Sequence, residues 1–111
     1  MRTIRSSRDV DRLFRQGRRA SHPLVVVLAT ASPEDRDPGG RVVYVAGRKI
    51  GGAVQRNRSK RVLRACRARL RGAWPGMDVA LVARAGTGTA SPDALDAAVA
   101  DALSRAGVGA S

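Results

Sequence analysis

Residues 41–83 read RVVYVAGRKIGGAVQRNRSKRVLRACRARLRGAWPGMDVALVA and contain the most informative local patterns of the chain. Its first six residues, 41–46, are mostly β-branched or aromatic, which is typical of a strand. A long segment after the glycine pair at 51–52 repeats apolar residues at helical spacing until about residue 72. Residues 77–83 are apolar again. The sequence therefore predicts a strand, a long helix and a second strand in succession.

The N-terminal segment adds a helix and a strand to this unit. Ser6 or Ser7 can cap a helix over residues 8–16, and Gly17 is placed to end it. Residues 24–30 read LVVVLAT, an unbroken and largely β-branched run. Such a run predicts a strand that is buried on both faces.

The remaining segments complete the order of elements. Residues 18–22 can add a short strand, and residues 32–40 have the composition of a turn-rich loop. Residues 91–93, Ser-Pro-Asp, combine an N-cap, a first-turn proline and a favourable acid, and the helix that they begin is expected to end by Gly107. We therefore predict an α/β (α+β) two-layer sandwich in the order α-β-β-(β)-α-β-α, with helices packed on a central mixed sheet.

Length and composition limit the class of protein. The chain has 111 residues, of which 43% are hydrophobic, so we expect one folded domain over residues 1–111. Cys66 is the only cysteine, which excludes a disulfide framework and a cysteine-rich metal site. The first ten residues have no apolar run, and no run is long enough to span a bilayer. We expect a soluble cytoplasmic protein that binds no membrane.

The positive charge is concentrated in the predicted long helix and the turn before it. Residues 47–72 carry ten Lys and Arg residues and no acid, within a chain whose net charge is +12. Apolar residues at 62, 63, 66, 70 and 73 share one side of the helix, and we assign the opposite side to the cations. That side comprises Arg56, Asn57, Lys60, Arg61, Arg64, Arg67 and Arg71. A concentrated cationic face of this kind indicates a polyanionic partner.

Several explanations of this face compete. A solvated helix surface usually mixes charges of both signs, and a membrane-bound helix would carry bulky aromatic residues. The composition fits a subunit of a ribonucleoprotein enzyme, and it fits a nucleic-acid-binding module without catalytic association equally well. A freestanding nuclease fits poorly, since Asp93 and Asp96 have no partnering His or Glu cluster.

Residues 48–61, RKIGGAVQRNRSKR, resemble a known signature. The bacterial ribonuclease P protein component carries a Lys-Lys-hydrophobe-Gly-x-Ala-Val-x-Arg-Asn-Arg-x-Lys-Arg run at the start of its basic helix. The resemblance extends to Leu13-Phe14-x-x-Gly17, to Pro75-Gly76-x-Asp78 and to Ala83-Arg84. Val10, Val25 and Val27 differ, because members of the family often have an aromatic residue there.

The resemblance implies a protein subunit of an endoribonuclease whose RNA subunit is catalytic. The complex would cut the 5′ leader from precursor tRNA with Mg²⁺ held largely by the RNA, and the protein would supply neither a catalytic residue nor a metal site. The resemblance also implies a left-handed β-α-β crossover, where general rules favour the right-handed form. A cleft between the first helix and the sheet would bind the leader, lined by Phe14, Val25 and Val27. The residues expected to bind the catalytic RNA are Arg48, Lys49, Arg56, Asn57, Arg58, Lys60, Arg61, Arg64 and Arg67.

Overall fold

The computed structural model of the chain describes residues 2–32, 40–70 and 74–108. In these segments the helices are α1 (Ser7–Gln16), α2 (Ala53–Leu70) and α3 (Pro92–Arg105). The strands are β1 (Arg2–Thr3), β2 (Arg18–His22), β3 (Val25–Ala31), β4 (Arg41–Val45) and β5 (Met77–Ala83). Two short 3-10 turns, Arg48–Ile50 and Thr87–Thr89, precede α2 and α3.

The predicted elements are present in the predicted order. β5 has the predicted bounds, the short strand at 18–22 is formed, and the other predicted helices and strands agree to within a few residues. The sequence did not predict β1 or the two 3-10 turns. Residues 33–39 of the loop predicted at 32–40 lie outside the described residues, as do the predicted last residues of the basic helix, 71 and 72, and the apolar residue at 73.

The strands form one mixed sheet in the order β1-β4-β5-β3-β2. β4 and β5 are parallel neighbours joined by α2, whereas β5 with β3 and β3 with β2 are antiparallel pairs. The short β1 extends the sheet by pairing in parallel with β4. The predicted α+β class with a mixed sheet is confirmed, and the left-handed sense of the β4–α2–β5 crossover stays a prediction.

Alternation along the strands gives the sheet two faces with different coverings. Val27 and Leu81 belong to the main core, which α2 and α3 close from one side. Leu28 and Ala80 point the other way and pack with Leu13 of α1. The sheet with α2 and α3 therefore forms two layers, and α1 is added alone on the opposite side.

The ends of α1 and α3 follow local chemistry. Gly17 ends α1 and donates its backbone N–H to the Leu13 carbonyl at 2.9 Å. A Cβ at position 17 would come within 2.4 Å of that carbonyl oxygen, so only glycine fits. Ser91 caps α3 as predicted, because its side chain accepts a hydrogen bond from the Ala94 backbone N–H at 3.2 Å. Ser6 occupies the N-cap position of α1 without such a side-chain bond.

Candidate nucleic-acid interface

The basic segment begins directly after β4. The 3-10 turn Arg48–Ile50 leaves Arg48 and Lys49 exposed, while Ile50 packs against the main core. Gly51 then adopts a φ of 133°, a backbone conformation that favours glycine, before α2 begins. The fold thus fixes two exposed cations beside the first turn of a basic helix.

α2 is attached to the molecule along one side. Ser59, Leu63 and Cys66 are buried, and Val62 and Leu70 are partly buried against the same core. The four apolar residues among these, Val62, Leu63, Cys66 and Leu70, are at positions that the helical spacing predicts to be buried. Burial raises the pKa of the Cys66 thiol to about 12, and a hydrogen bond to Asp96 acts in the same direction. Cys66 is therefore a core side chain and not a reactive thiol.

The opposite side of α2 faces solvent, and we call it the outer face. It is formed by Asn57, Arg61 and Arg64, all of which are exposed. The predicted positions of Arg56, Lys60 and Arg67 need correction, because these three side chains are only partly exposed. On an ideal helix they lie roughly 20–60° from Leu63, so they flank the buried side and do not oppose it.

Most polar and charged side chains of α2 and of the turn before it lack acidic partners. Among the described residues, none forms a hydrogen bond or an ion pair with Arg48, Lys49, Arg56, Asn57, Lys60 or Arg61. Arg69 differs, because its guanidinium donates to both carboxylate oxygens of Asp96 at 2.7–3.1 Å and thereby joins α2 to α3. The positive charge of the outer face therefore remains available to a ligand.

Three other predicted RNA-binding arginines are in contact with uncharged groups. Arg58 donates from Nε to the Gly88 carbonyl at 3.0 Å. The guanidinium carbon of Arg64 lies 5.3 Å from the centre of the Tyr44 ring, and that of Arg67 lies 4.4 Å from the centre of the Trp74 ring. Such contacts hold a guanidinium in place while leaving it positively charged.

The second predicted site, the cleft beside α1, stays a prediction, and the structure changes its lining. Phe14 is 49% exposed and is available to a ligand. Val25 and Val27 are 0% exposed and belong to the core beneath α2 and α3, so their prediction as cleft residues is wrong. The physical reason is strand alternation, which turns odd-numbered residues of β3 away from α1. Val43 and Val82, which are partly buried on the α1 side of the sheet, take their place.

A buried polar cluster beside this cleft was not predicted. Asp78 is fully buried and accepts hydrogen bonds from Arg41 at 2.6 and 2.8 Å, from Arg12 at 2.7 Å and from Ser32 at 2.8 Å. These bonds raise the pKa of Arg41, chiefly through its hydrogen bond to Asp78. One signal was available, since a lone acid inside the apolar strand at 77–83 must have a cationic partner.

Comparisons with known proteins identify the family. A profile described as Ribonuclease P matches residues 1–107 of the chain. The Ribonuclease P protein component of Herpetosiphon aurantiacus is 38% identical over 104 residues, which are 93% of this chain and 82% of that protein. The chain belongs to the ribonuclease P protein family.

Other members of the ribonuclease P protein family extend the likeness in sequence and in fold. The Ribonuclease P protein component of Acidothermus cellulolyticus is 44% identical over 61 residues, which are 55% of this chain and 50% of that protein. The RNase P protein from Thermotoga maritima superposes with a TM-score of 0.76 at 26% identity, covering 93% of this chain and 96% of that one. The fold of this chain is therefore the fold of its family.

The described part of this ribonuclease P family member has neither a cluster of metal ligands nor a membrane-spanning helix. In residues 2–32, 40–70 and 74–108, no three His, Cys, Asp or Glu side chains come together in a way that could hold a metal ion. No helix in the same segments has both the length and the apolar character required to cross a bilayer.

Proposed function

We propose that this chain is the protein subunit of a cytoplasmic ribonuclease P ribonucleoprotein that removes the 5′ leader from precursor tRNA. The observation that carries the proposal is the outer face of α2 together with the turn before it. Arg48, Lys49 and Arg61 are exposed there without any acidic partner among the described residues. We assign this surface to the catalytic RNA subunit.

The energetics of α2 support an anionic ligand. Arg56–Lys60 and Lys60–Arg64 are like-charged pairs at i,i+4, and each pair destabilises an isolated helix by roughly 0.2–0.5 kcal/mol. The first turn of α2 contains no acid to balance the helix dipole. Bound phosphates would relieve both penalties and would release counterions from the RNA.

The α1 side of the sheet supports a second contact, with the single-stranded leader. Phe14 offers an exposed ring on which a base can stack, and Val10, Val43 and Val82 form a partly buried apolar surface beside it. This cleft lies on the opposite side of the sheet from α2. In this proposal the protein binds the catalytic RNA on one side and the substrate leader on the other.

Catalysis is assigned to the RNA subunit. In this proposal the Mg²⁺ is held largely by the RNA, and no three acidic, His or Cys side chains among residues 2–32, 40–70 and 74–108 are placed to bind a metal ion. The chain's own contribution is to bind and orient both RNAs, which converts a weak encounter into a positioned complex.

Reconstitution tests the proposal. The protein is added to a bacterial ribonuclease P catalytic RNA at low Mg²⁺, and release of the 5′ leader from precursor tRNA is measured. We expect the protein to accelerate leader release and to show no cleavage without the RNA. Cleavage by the protein alone would instead support a freestanding nuclease, and a lack of stimulation would support an unrelated nucleic-acid-binding module.

A matched pair of variants tests the assigned surface. Arg61→Ala and Ser104→Glu each lower the net charge by one, and both side chains are exposed, on α2 and α3 respectively. We expect only Arg61→Ala to weaken binding to the catalytic RNA. Equal losses from both variants would indicate a general charge effect and would contradict the assignment.

A further inference from the structure

The 3-10 turn Thr87–Thr89 lies directly against α2, although it begins 17 residues after α2 ends at Leu70. The Gly88 carbonyl accepts the hydrogen bond from Arg58 Nε at 3.0 Å. A Cβ at position 88 would approach Ser59 Oγ to 3.3 Å, and Ser59 is itself buried. The small residues at 59 and 88 thus allow the turn to lie close to the helix and to reach Arg58.

Thr87 fixes this turn to the sheet. Its side chain is fully buried, and Oγ1 donates to the Leu24 carbonyl at 2.6 Å and accepts from the Arg84 backbone N–H at 2.8 Å. Leu24 immediately precedes β3 and Arg84 immediately follows β5. The carbonyl that holds Arg58 is therefore attached to two central strands and not to a freely moving loop.

The contact restrains Arg58 without neutralising it. A carbonyl oxygen takes one N–H of the guanidinium, and the two terminal nitrogens remain to donate to a phosphate as a fork. Arg69, further along α2, shows the alternative, since Asp96 occupies its fork with a carboxylate. Restraint of a long side chain before binding lowers the entropy lost when it contacts its ligand.

We propose that Thr87 and Gly88 are positioning residues that hold Arg58 in the orientation required for bidentate contact with a phosphate of the catalytic RNA. This inference rests on the proposed function, because it requires α2 to bind that RNA. It assigns a role in RNA affinity to residues that are not themselves part of the basic surface. The arrangement consists of Arg58, the Gly88 carbonyl that accepts its hydrogen bond, and the buried Thr87 that fixes the turn.

The test is a double-mutant cycle on affinity for the catalytic RNA. We expect Arg58→Ala to weaken binding about tenfold and to flatten the salt dependence by about one unit of slope. Thr87→Val removes the anchoring hydroxyl with little change of shape, and we expect about threefold weaker binding with an unchanged salt slope. In the Arg58→Ala background, Thr87→Val should have no further effect.

Two other variants complete the design. Thr89→Val is the matched control, because Thr89 is exposed and its hydroxyl has only a long 3.5 Å contact with the Gly86 carbonyl, so its affinity should equal that of the unmodified protein. Gly88→Ala is the second test if Thr87→Val folds poorly. Its Cβ would displace the turn from Ser59, and we expect binding to weaken about twofold, again only when Arg58 is present.

The outcomes separate this inference from the proposed function. Equal losses from Thr87→Val with and without Arg58 would show a general structural effect and would overturn the inference. An Arg58→Ala variant with normal affinity would also overturn it, and the proposed function would stand if Arg61→Ala still weakened binding. Normal affinity for both arginine variants would contradict the proposed RNA surface itself.

Discussion

Two groups of arginines in this chain meet opposite surroundings. Arg12 and Arg41 converge on the buried carboxylate of Asp78, with N–O distances of 2.7 and 2.6 Å. Arg48, in the turn before α2, and Arg61, on the outer face of α2, are exposed and pair with no acid among the described residues. The first group joins α1 to the sheet, and the second leaves its charge to a partner.

Burial and bonding partners, not residue type, therefore determine what an arginine does in this fold. A carboxylate as buried as Asp78 must be compensated, so Arg12 and Arg41 are required by the fold. Arg56, Lys60 and Arg64 of α2 repel one another as like charges at i,i+4, and no acid among the described residues pairs with them.

Loss of the buried acid should give the largest effect. Asp78→Ala leaves Arg12 and Arg41 without their shared carboxylate, and we expect the free energy of unfolding in urea to fall by about 3 kcal/mol. Asp11→Ala, at an exposed acid of α1 that forms no hydrogen bond or ion pair with the described residues, is the control and should change stability by less than about 0.5 kcal/mol. A loss from Asp78→Ala that is no larger than the control would refute the structural role of this group.

Replacing one arginine of each group by methionine should separate effects on stability from effects on RNA binding. Arg41→Met should lower the free energy of unfolding by about 2 kcal/mol, since it leaves Asp78 with one cation fewer. Arg61→Met should leave stability within about 0.5 kcal/mol and weaken binding to the catalytic RNA about tenfold. Urea denaturation and RNA titration on both variants provide the comparison. The distinction fails if both variants lose stability to the same extent.

The salt dependence of RNA binding should respond more modestly. Arg56→Ala removes one cation beside the outer face, so the slope of log affinity against log salt should flatten by about one unit, with little change in stability. Titrations between low and moderate salt measure this slope. Ser104→Glu, which also lowers the net charge by one, should retain the original slope, and a flattened slope in this control would point to the net charge instead of a local contact.

The smallest expected signal is the alkylation of Cys66, on the buried side of α2, in the folded protein. Because the pKa of the Cys66 thiol is raised to about 12, mainly by burial, the thiol remains protonated at pH 8 and should react with iodoacetamide only after unfolding. Ala65→Cys, at an exposed neighbouring position, should be labelled in the native protein. Rapid labelling of Cys66 in folded protein would mean that α2 is not seated as described.

The sequence predicted what local patterns determine. Helical spacing gave the buried side of α2, strand-forming runs gave β3, β4 and β5, and the Ser-Pro-Asp sequence gave the start of α3. The sequence-based prediction was wrong where tertiary packing determines which side of the sheet a residue faces. In the unbroken apolar run at 24–30 every residue is suited to burial, so the pattern could not reveal that Val25 and Val27 face away from α1.

The remaining contacts depend on chain segments that are distant in sequence. Arg41 and Asp78 are register partners on adjacent strands, a pairing that becomes visible only when β4 and β5 are known to be neighbours. The Gly88 carbonyl reaches Arg58 only because the turn after β5 folds back onto α2. The partial burial of Arg56, Lys60 and Arg67, by contrast, could have been predicted, because ideal helical spacing places these residues beside Leu63.

Tethered cleavage of the catalytic RNA tests the central claim most directly. A single new cysteine is introduced at Ala68, on the exposed side of α2, or at Ala97, on the exposed side of α3, and is derivatised with iron-EDTA while buried Cys66 stays unmodified. The account predicts localised cleavage of the RNA from position 68 and little or none from position 97. Cleavage from position 97 with none from position 68 would contradict it.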